Sequence, residues 1–197
     1  MKTYYINYDE KAKVNYSFIF ALYRIAATDK QEKIGNIISY KSQKQLAERL
    51  KEVCGFSISP ATISRILKDT EQYSLYFSKS ETENTITLNN CFKKGKAASN
   101  KFVILTEKEL LFLLEKDDKL LTKYYLYLKY YCGYSKSKQI DTTANQILSA
   151  IGYSGNSGKN KDLLCAYNSL LLEKKFISIQ KQRDDKGHSR NIYRVNI

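Results

Sequence analysis

The chain is 197 residues long and 43% hydrophobic, enough for one large domain or two small ones with cores of their own. Thirty-three Lys and Arg against twenty Asp and Glu leave a formal net charge of +13 and a pI near 9.4, a field that favours a polyanionic partner. No apolar signal core opens the chain and no uncharged stretch is long enough to span a bilayer, so a cytoplasmic protein without a membrane segment is expected.

Residues 14–27 set Val14, Phe18, Ala21, Leu22 and Ile25 at three- and four-residue spacings, which predicts a helix with one buried face. A polar stretch through Gly35 follows, and then Ile37-Ile38-Ser39-Tyr40, which is short and β-prone. Ser42 caps a predicted helix running to about Val53, with Leu46, Ala47, Leu50 and Val53 inward and Lys44, Gln45, Glu48, Arg49 and Lys51 outward. Cys54 to Ile58 ends it. Ser59-Pro60 opens a third helix, because proline at the first helical position forfeits no hydrogen bond. Ile63, Ile66 and Leu67 point inward there, which leaves Ala61, Thr62, Ser64, Arg65 and Lys68 for another surface. Tyr73 to Phe77 and Thr85 to Leu88 predict a hairpin around a polar tip.

Asn89 to Lys101 carries four lysines, Lys93, Lys94, Lys96 and Lys101, and no acid. It reads as a basic linker over 91–101 joining one domain over 1–90 to a second over 102–197. The order of elements then begins again. Thr106 with Glu109 forms a capping box ahead of Leu110, Leu111, Leu113 and Leu114. A helix over about Asp118 to Cys132 is dense in Leu and Tyr; Lys138-Gln139-Ile140 suggests a short strand; Thr142 or Thr143 caps a helix holding Ile147, Leu148 and Ile151. Gly152 to Gly158 forms a turn, and Lys159 to Lys174 a helix with Leu163, Leu164, Tyr167, Leu170 and Leu171. Phe176 to Gln182 and Asn191 to Val195 are predicted strands around Asp184-Asp185-Lys186-Gly187-His188, whose Asp-Lys-Gly is turn chemistry. Helix, short strand, helix, turn, helix, hairpin thus occurs twice. The fold class expected is mainly α with small β-hairpins.

Cys54, Cys91, Cys132 and Cys165 are far apart and form no C-x-x-C pair, so buried reduced thiols are expected and neither a metal nor another cofactor. Of seventeen tyrosines, Tyr124, Tyr125, Tyr127, Tyr130, Tyr131 and Tyr134 crowd one helix and its end. A helix apolar on several sides is packed on several sides, so a bridge between the two units or a homodimer face is the first reading of that cluster, and stacking on unpaired bases the second. A tyrosine nucleophile would need histidines or an Arg/His constellation around it, and the chain has one histidine, His188, in a predicted turn. No phosphate-cradling G-x-x-x-x-G-K loop occurs, so no enzymatic activity is expected.

Ser42 to Leu50 followed by Ser59 to Leu67 resembles a helix-turn-helix with an enlarged turn, which is similar to the winged-helix family. The resemblance implies two winged helix-turn-helix domains in tandem, each laying its third helix in a major groove and its hairpin on the phosphates. On that basis Ser42, Lys44, Thr62, Ser64, Arg65 and Lys68 of the first domain would face DNA, with Arg65 placed for guanine O6/N7. Lys93, Lys94 and Lys96 would follow the backbone. In the second domain the expected set is Ser157, Lys159, Asn160 and Lys161 at the start of the helix, then Arg183, Lys186, His188 and Arg190 in the hairpin. Asn160 could equally read adenine. The Phe-Val-Ile-Leu start at 102–105, the Lys-Tyr-Tyr-Leu-Tyr-Leu helix at 123–128 and the Asn-Ile-Tyr-Arg-Val strand at 191–195 resemble initiator proteins of plasmids and phages of Gram-positive bacteria. This implies sequence-specific binding of double-stranded DNA at a replication origin or similar site of a mobile element. The alternatives are a transcriptional regulator of the same fold and an adaptor that holds a replisome or nuclease protein.

Overall fold

The computed structural model describes residues 3–28, 37–80, 82–89, 101–183 and 189–196. It is a mixed α+β structure with small antiparallel sheets, and the chain divides into two compact units: Met1–Asn7 with Ala12–Lys119, and Tyr8–Lys11 with Leu120–Ile197.

In the first unit, strand β1 (Thr3–Asn7) precedes helix α1 (Tyr16–Thr28), strand β2 (Ile37–Ser39) and helices α2 (Gln43–Cys54) and α3 (Pro60–Lys68). The short helix α4 (Thr70–Tyr73), strands β3 (Phe77–Lys79), β4 (Thr85–Leu88) and β5 (Phe102–Thr106) and helix α5 (Glu107–Lys116) complete it. Helix α1 is buried almost all round: Tyr16 to Tyr23, Ile25 and Ala26 are all out of solvent. A helix apolar on every side belongs at the centre of its domain, and α2, β2 and α5 pack against it. The antiparallel sheet has the order β2-β4-β3, with Ile38 opposite Ile86 and both fully buried.

Three differences from the sequence expectations concern this unit. Tyr73 lies in α4 and not in a strand, because the Asp69 side chain accepts the Gln72 amide (3.2 Å) and starts one more helical turn; the strand begins at Phe77. Strands β1 and β5 were not singled out in the sequence. They pair antiparallel, Tyr5 opposite Ile104, burying Tyr4, Ile6, Val103 and Leu105 on one face. Because of that pairing, and because Arg24 of α1 forms an ion pair with Glu107 at the start of α5, β5 and α5 belong to the first unit. The division therefore falls at Lys119, beyond the expected boundary at 102, and residues 91–100 of the expected linker lie outside the described residues.

The second unit holds helix α6 (Lys119–Tyr134), strand β6 (Gln139–Thr142), helices α7 (Ala144–Ala150) and α8 (Gly158–Glu173), and strands β7 (Ile177–Arg183) and β8 (Ser189–Val195). Helix α6 plays the part of α1, with Leu120 to Leu128 buried without a break. The sheet order is β6-β8-β7, so in each unit's three-stranded sheet the third strand lies between the first and the second. Helix, strand, helix, helix, hairpin is the common sequence of elements, to which the first unit adds β1, α4, β5 and α5. The expected capping box of Thr106 with Glu109 starts α5, and a second, Thr143 with Gln146, starts α7.

Candidate nucleic-acid interface

The first unit builds an outward face from α2 and α3. The Ser42 side chain accepts the Gln45 amide at 3.2 Å, so this hydroxyl serves as the helix cap; Lys44, in the same turn, is exposed. Helix α2 closes on Gly55, whose φ of 66° is the left-handed conformation that glycine adopts without a Cβ clash. Ser59 then caps α3, accepting the Thr62 amide at 3.1 Å and sharing a 2.9 Å hydrogen bond with the Thr62 hydroxyl. Thr62 is thus occupied in holding the helix start. Ile63, Ile66 and Leu67 bury the inner face of α3, and Ala61, Arg65 and Lys68, one helical stripe, are exposed on the other side. Ser64 is half-buried beside them. Among the described residues neither the Arg65 nor the Lys68 side chain is held by an ion pair.

The second unit repeats the construction with a different turn. Ser157 caps α8 through the Asn160 amide (3.3 Å), and the Asn160 side-chain amide donates to the Ser154 carbonyl (3.2 Å). Asn160 therefore braces the turn with the same nitrogen that an adenine contact would use. Lys159 is exposed and Lys161 half-buried. Leu164, Tyr167 and Leu171 face the core, while Lys159, Asp162, Ala166 and Ser169 form an exposed stripe whose later members are small, so a flat surface can approach it closely. Behind the turn, Lys123 of α6 is only 8% exposed; its Nζ donates to the Ile151 carbonyl at 3.2 Å and lies 5.9 Å from the Tyr153 ring centroid. Nothing in the sequence marks this lysine, which sits mid-helix between Thr122 and Tyr124.

The hairpin of β7 and β8 extends beyond the core. From Gln180 to Arg183 every β7 residue is exposed, which leaves Lys181 and Arg183 in solvent. Arg190 is exposed and lies 3.5 Å from Asp141 of β6, and the Arg194 Nε donates to Gln139 at 2.9 Å. Lys186 and His188, like Lys93, Lys94, Lys96 and Cys91, lie outside the described residues. The sequence-predicted residues thus separate by role. Arg65, Lys68, Lys44, Lys159, Arg183 and Arg190 are exposed cations, whereas Ser42, Ser157, Thr62 and Asn160 are structural at helix starts.

Burial raises the phenols of α6 above the ordinary range: Tyr124 and Tyr127 chiefly by desolvation, and Tyr131 by desolvation and by donating to Glu10. An activated oxygen nucleophile needs the opposite direction or an adjacent base. The Cys54 and Cys132 thiols are pushed up to about 11, again by burial, and are neutral at physiological pH. Among the described residues no group of three His, Cys, Asp or Glu side chains is placed to hold a metal, and no helix is long and apolar enough to cross a membrane. Comparisons with protein-family models, with curated proteins and with solved structures found no match.

Proposed function

We propose that this protein recognises specific double-stranded DNA through two winged-helix units in tandem, without catalysing a reaction, at a replication origin or similar site of a plasmid, phage or other mobile element. The observation that carries the reading is the repeated order of helix, strand, helix, helix and hairpin, each time with the first strand paired to the third. That arrangement supports a winged-helix reading, a fold in which the third helix enters the major groove. In support, the outer stripe of α3 offers Arg65 and Lys68, that of α8 offers Lys159, and the β7–β8 arm carries Lys181, Arg183 and Arg190. An Arg fork matches the paired acceptors of guanine, while lysines and hairpin cations neutralise phosphates without reading sequence. The net charge of +13 and the raised phenols favour binding over chemistry. The origin assignment rests on the resemblance of 123–128 and 191–195 to plasmid and phage initiators.

Selection of bound sequences from a random duplex library tests the proposal. The wild-type protein should enrich a defined site; Arg65→Ala should lose preference at one base position, at about 1–3 kcal/mol, and Lys159→Ala should weaken all sequences alike. A library that fails to converge would refute specific recognition, and uniform loss in Arg65→Ala would remove that residue from base reading.

A further inference from the structure

We infer that the two hairpins have different tasks: Lys181 and Arg183, on the core-side face of the β7–β8 arm, hold duplex phosphates, whereas the β3–β4 hairpin braces the start of α2 and holds none. The inference rests on the duplex reading above, and it departs from the equal hairpins that the winged-helix resemblance implies. The β7–β8 ladder runs from Ile177 opposite Val195 to Arg183 opposite Ser189, seven residue pairs. Alternation along β7 puts Ile177, Ile179, Lys181 and Arg183 on one face. Ile177 is buried and Ile179, opposite the buried Tyr193, is half-buried, while Lys181 and Arg183 are exposed. The apolar half of this face is therefore anchored in the core, and its cationic half overhangs it. Arg190 and Arg194 stand on the other face, where Asp141 and Gln139 of β6 engage them at 3.5 and 2.9 Å.

The first hairpin is built the other way. Its ladder ends after three residue pairs, at Lys79 opposite Ile86. At about 3.3 Å per residue, the four further pairs make the second ladder roughly 13 Å longer. Phe77, Ile86 and Leu88 are buried on the core-side face of the first hairpin, and Lys79, the last β3 residue of that face, is half-buried. The tip then folds back on itself: the Ser80 amide donates to the Thr85 carbonyl and the Glu83 amide to the Ser80 hydroxyl, each at 3.1 Å. Asn84 docks on the segment before α2, its carbonyl accepting the Tyr40 amide at 3.0 Å and its side-chain amide donating to the Lys41 carbonyl at 3.4 Å. Ser42, the next residue, caps α2. Charge divides the hairpins in the same sense. From Ser78 to Asn84 the sequence holds Lys79 against Glu81 and Glu83; from Ser178 to Arg194 it holds Lys181, Arg183, Lys186, Arg190 and Arg194 against Asp184 and Asp185. A short hairpin with an acidic excess, tied to its own body, repels the phosphate that a long basic one attracts. The first unit is left to meet DNA through the exposed cations of α2 and α3, among them Lys44, Arg65 and Lys68.

The test is the salt dependence of binding to a mixed-sequence duplex of about thirty base pairs, followed by fluorescence anisotropy between about 50 and about 200 mM potassium chloride. Each phosphate contact removed lowers the slope of log affinity against log salt by about 0.9, so Lys181→Ala combined with Arg183→Ala should lower it by about 1.8. Across that range the double variant should then lose about tenfold less affinity than the wild type does. Lys181→Arg combined with Arg183→Lys should keep the wild-type slope, and so should Lys79→Ala. A wild-type slope in the double alanine variant overturns the inference. So does a fall in Lys79→Ala as large as that in Lys181→Ala alone, since both hairpins would then hold phosphates. A wild-type protein that binds no duplex even at about 50 mM salt sinks the duplex reading and the inference together, whereas either slope result sinks the hairpin assignment alone.

Discussion

Gly155, in the turn between α7 and α8, offers a sharp test of how the second unit is packed. A Cβ at this position would lie 3.0 Å from the Asn145 carbonyl oxygen, 3.1 Å from its Cα and 3.3 Å from its Cβ. Two of those atoms are backbone in the first turn of α7, a turn pinned by the Thr143–Gln146 capping box, so they cannot yield cheaply. Overpacking of this kind costs about 1–3 kcal/mol. For a unit of this size the midpoint moves by roughly 4–8 °C per kcal/mol, so Gly155→Ala should lower the melting temperature of the second unit by roughly 4–24 °C. Gly158→Ala is the control a few residues away. Nothing lies within 4 Å of its Cβ, and it starts α8, where alanine restricts the unfolded chain more than glycine does. That variant should gain roughly 0.4–1 kcal/mol. Scanning calorimetry on both measures the contrast. Because Asn160 is bonded to Ser154 in the same turn, Gly155→Ala should also weaken binding of the selected duplex through displacement of α8. Shifts of the same sign and size in the two variants would refute the packing argument.

Two further outcomes follow from buried polar groups. Lys123→Ala removes the charged donor to the Ile151 carbonyl and should cost about 1–3 kcal/mol, read from urea midpoints; Lys123→Met, which refills the volume, should cost less. A methionine variant as stable as wild type would show that the filled volume and not the hydrogen bond matters. The Cys54 and Cys132 thiols stand at about 11 in the folded chain against 9.0 for a free thiol, both raised by burial. Their contribution to stability is complete below about pH 9 and is lost as the pH rises through about 11, so urea midpoints should fall across that window. In the native protein near pH 8, iodoacetamide should label exposed Cys165 ahead of both, and peptide mass spectrometry showing the reverse order would contradict their burial.

Helices and their starts were legible wherever a single strand of sequence carries both the apolar period and the cap. Ser42, Ser59 and Thr106 cap the helices expected of them and Thr143, of the two threonines considered, caps α7, because a capping hydroxyl needs only the amide three residues on; Ser157, expected to face DNA, caps α8. The β1–β5 pair was not legible. Its strands are nearly a hundred residues apart, and neither run, Tyr4-Tyr5-Ile6 or Val103-Ile104-Leu105, shows the clean apolar–polar alternation of a half-exposed strand. Lys123 was invisible for a related reason: a lysine in a helix reads as solvated until the carbonyl that accepts it is placed beside it.

Local chemistry, which acts over three or four residues, determined the order of elements, the repeat of that order, the basic balance and the exposed cations Arg65, Lys68 and Lys159. Tertiary structure decided what depends on distant segments meeting. It moved β5 and α5 into the first unit, gave the Asn160 amide to the Ser154 carbonyl and set Tyr8 on Tyr130. Hydrogen-bond donors and ring faces find their occupants only when the chain closes on itself, and whether a side chain remains available to a ligand is settled at that step.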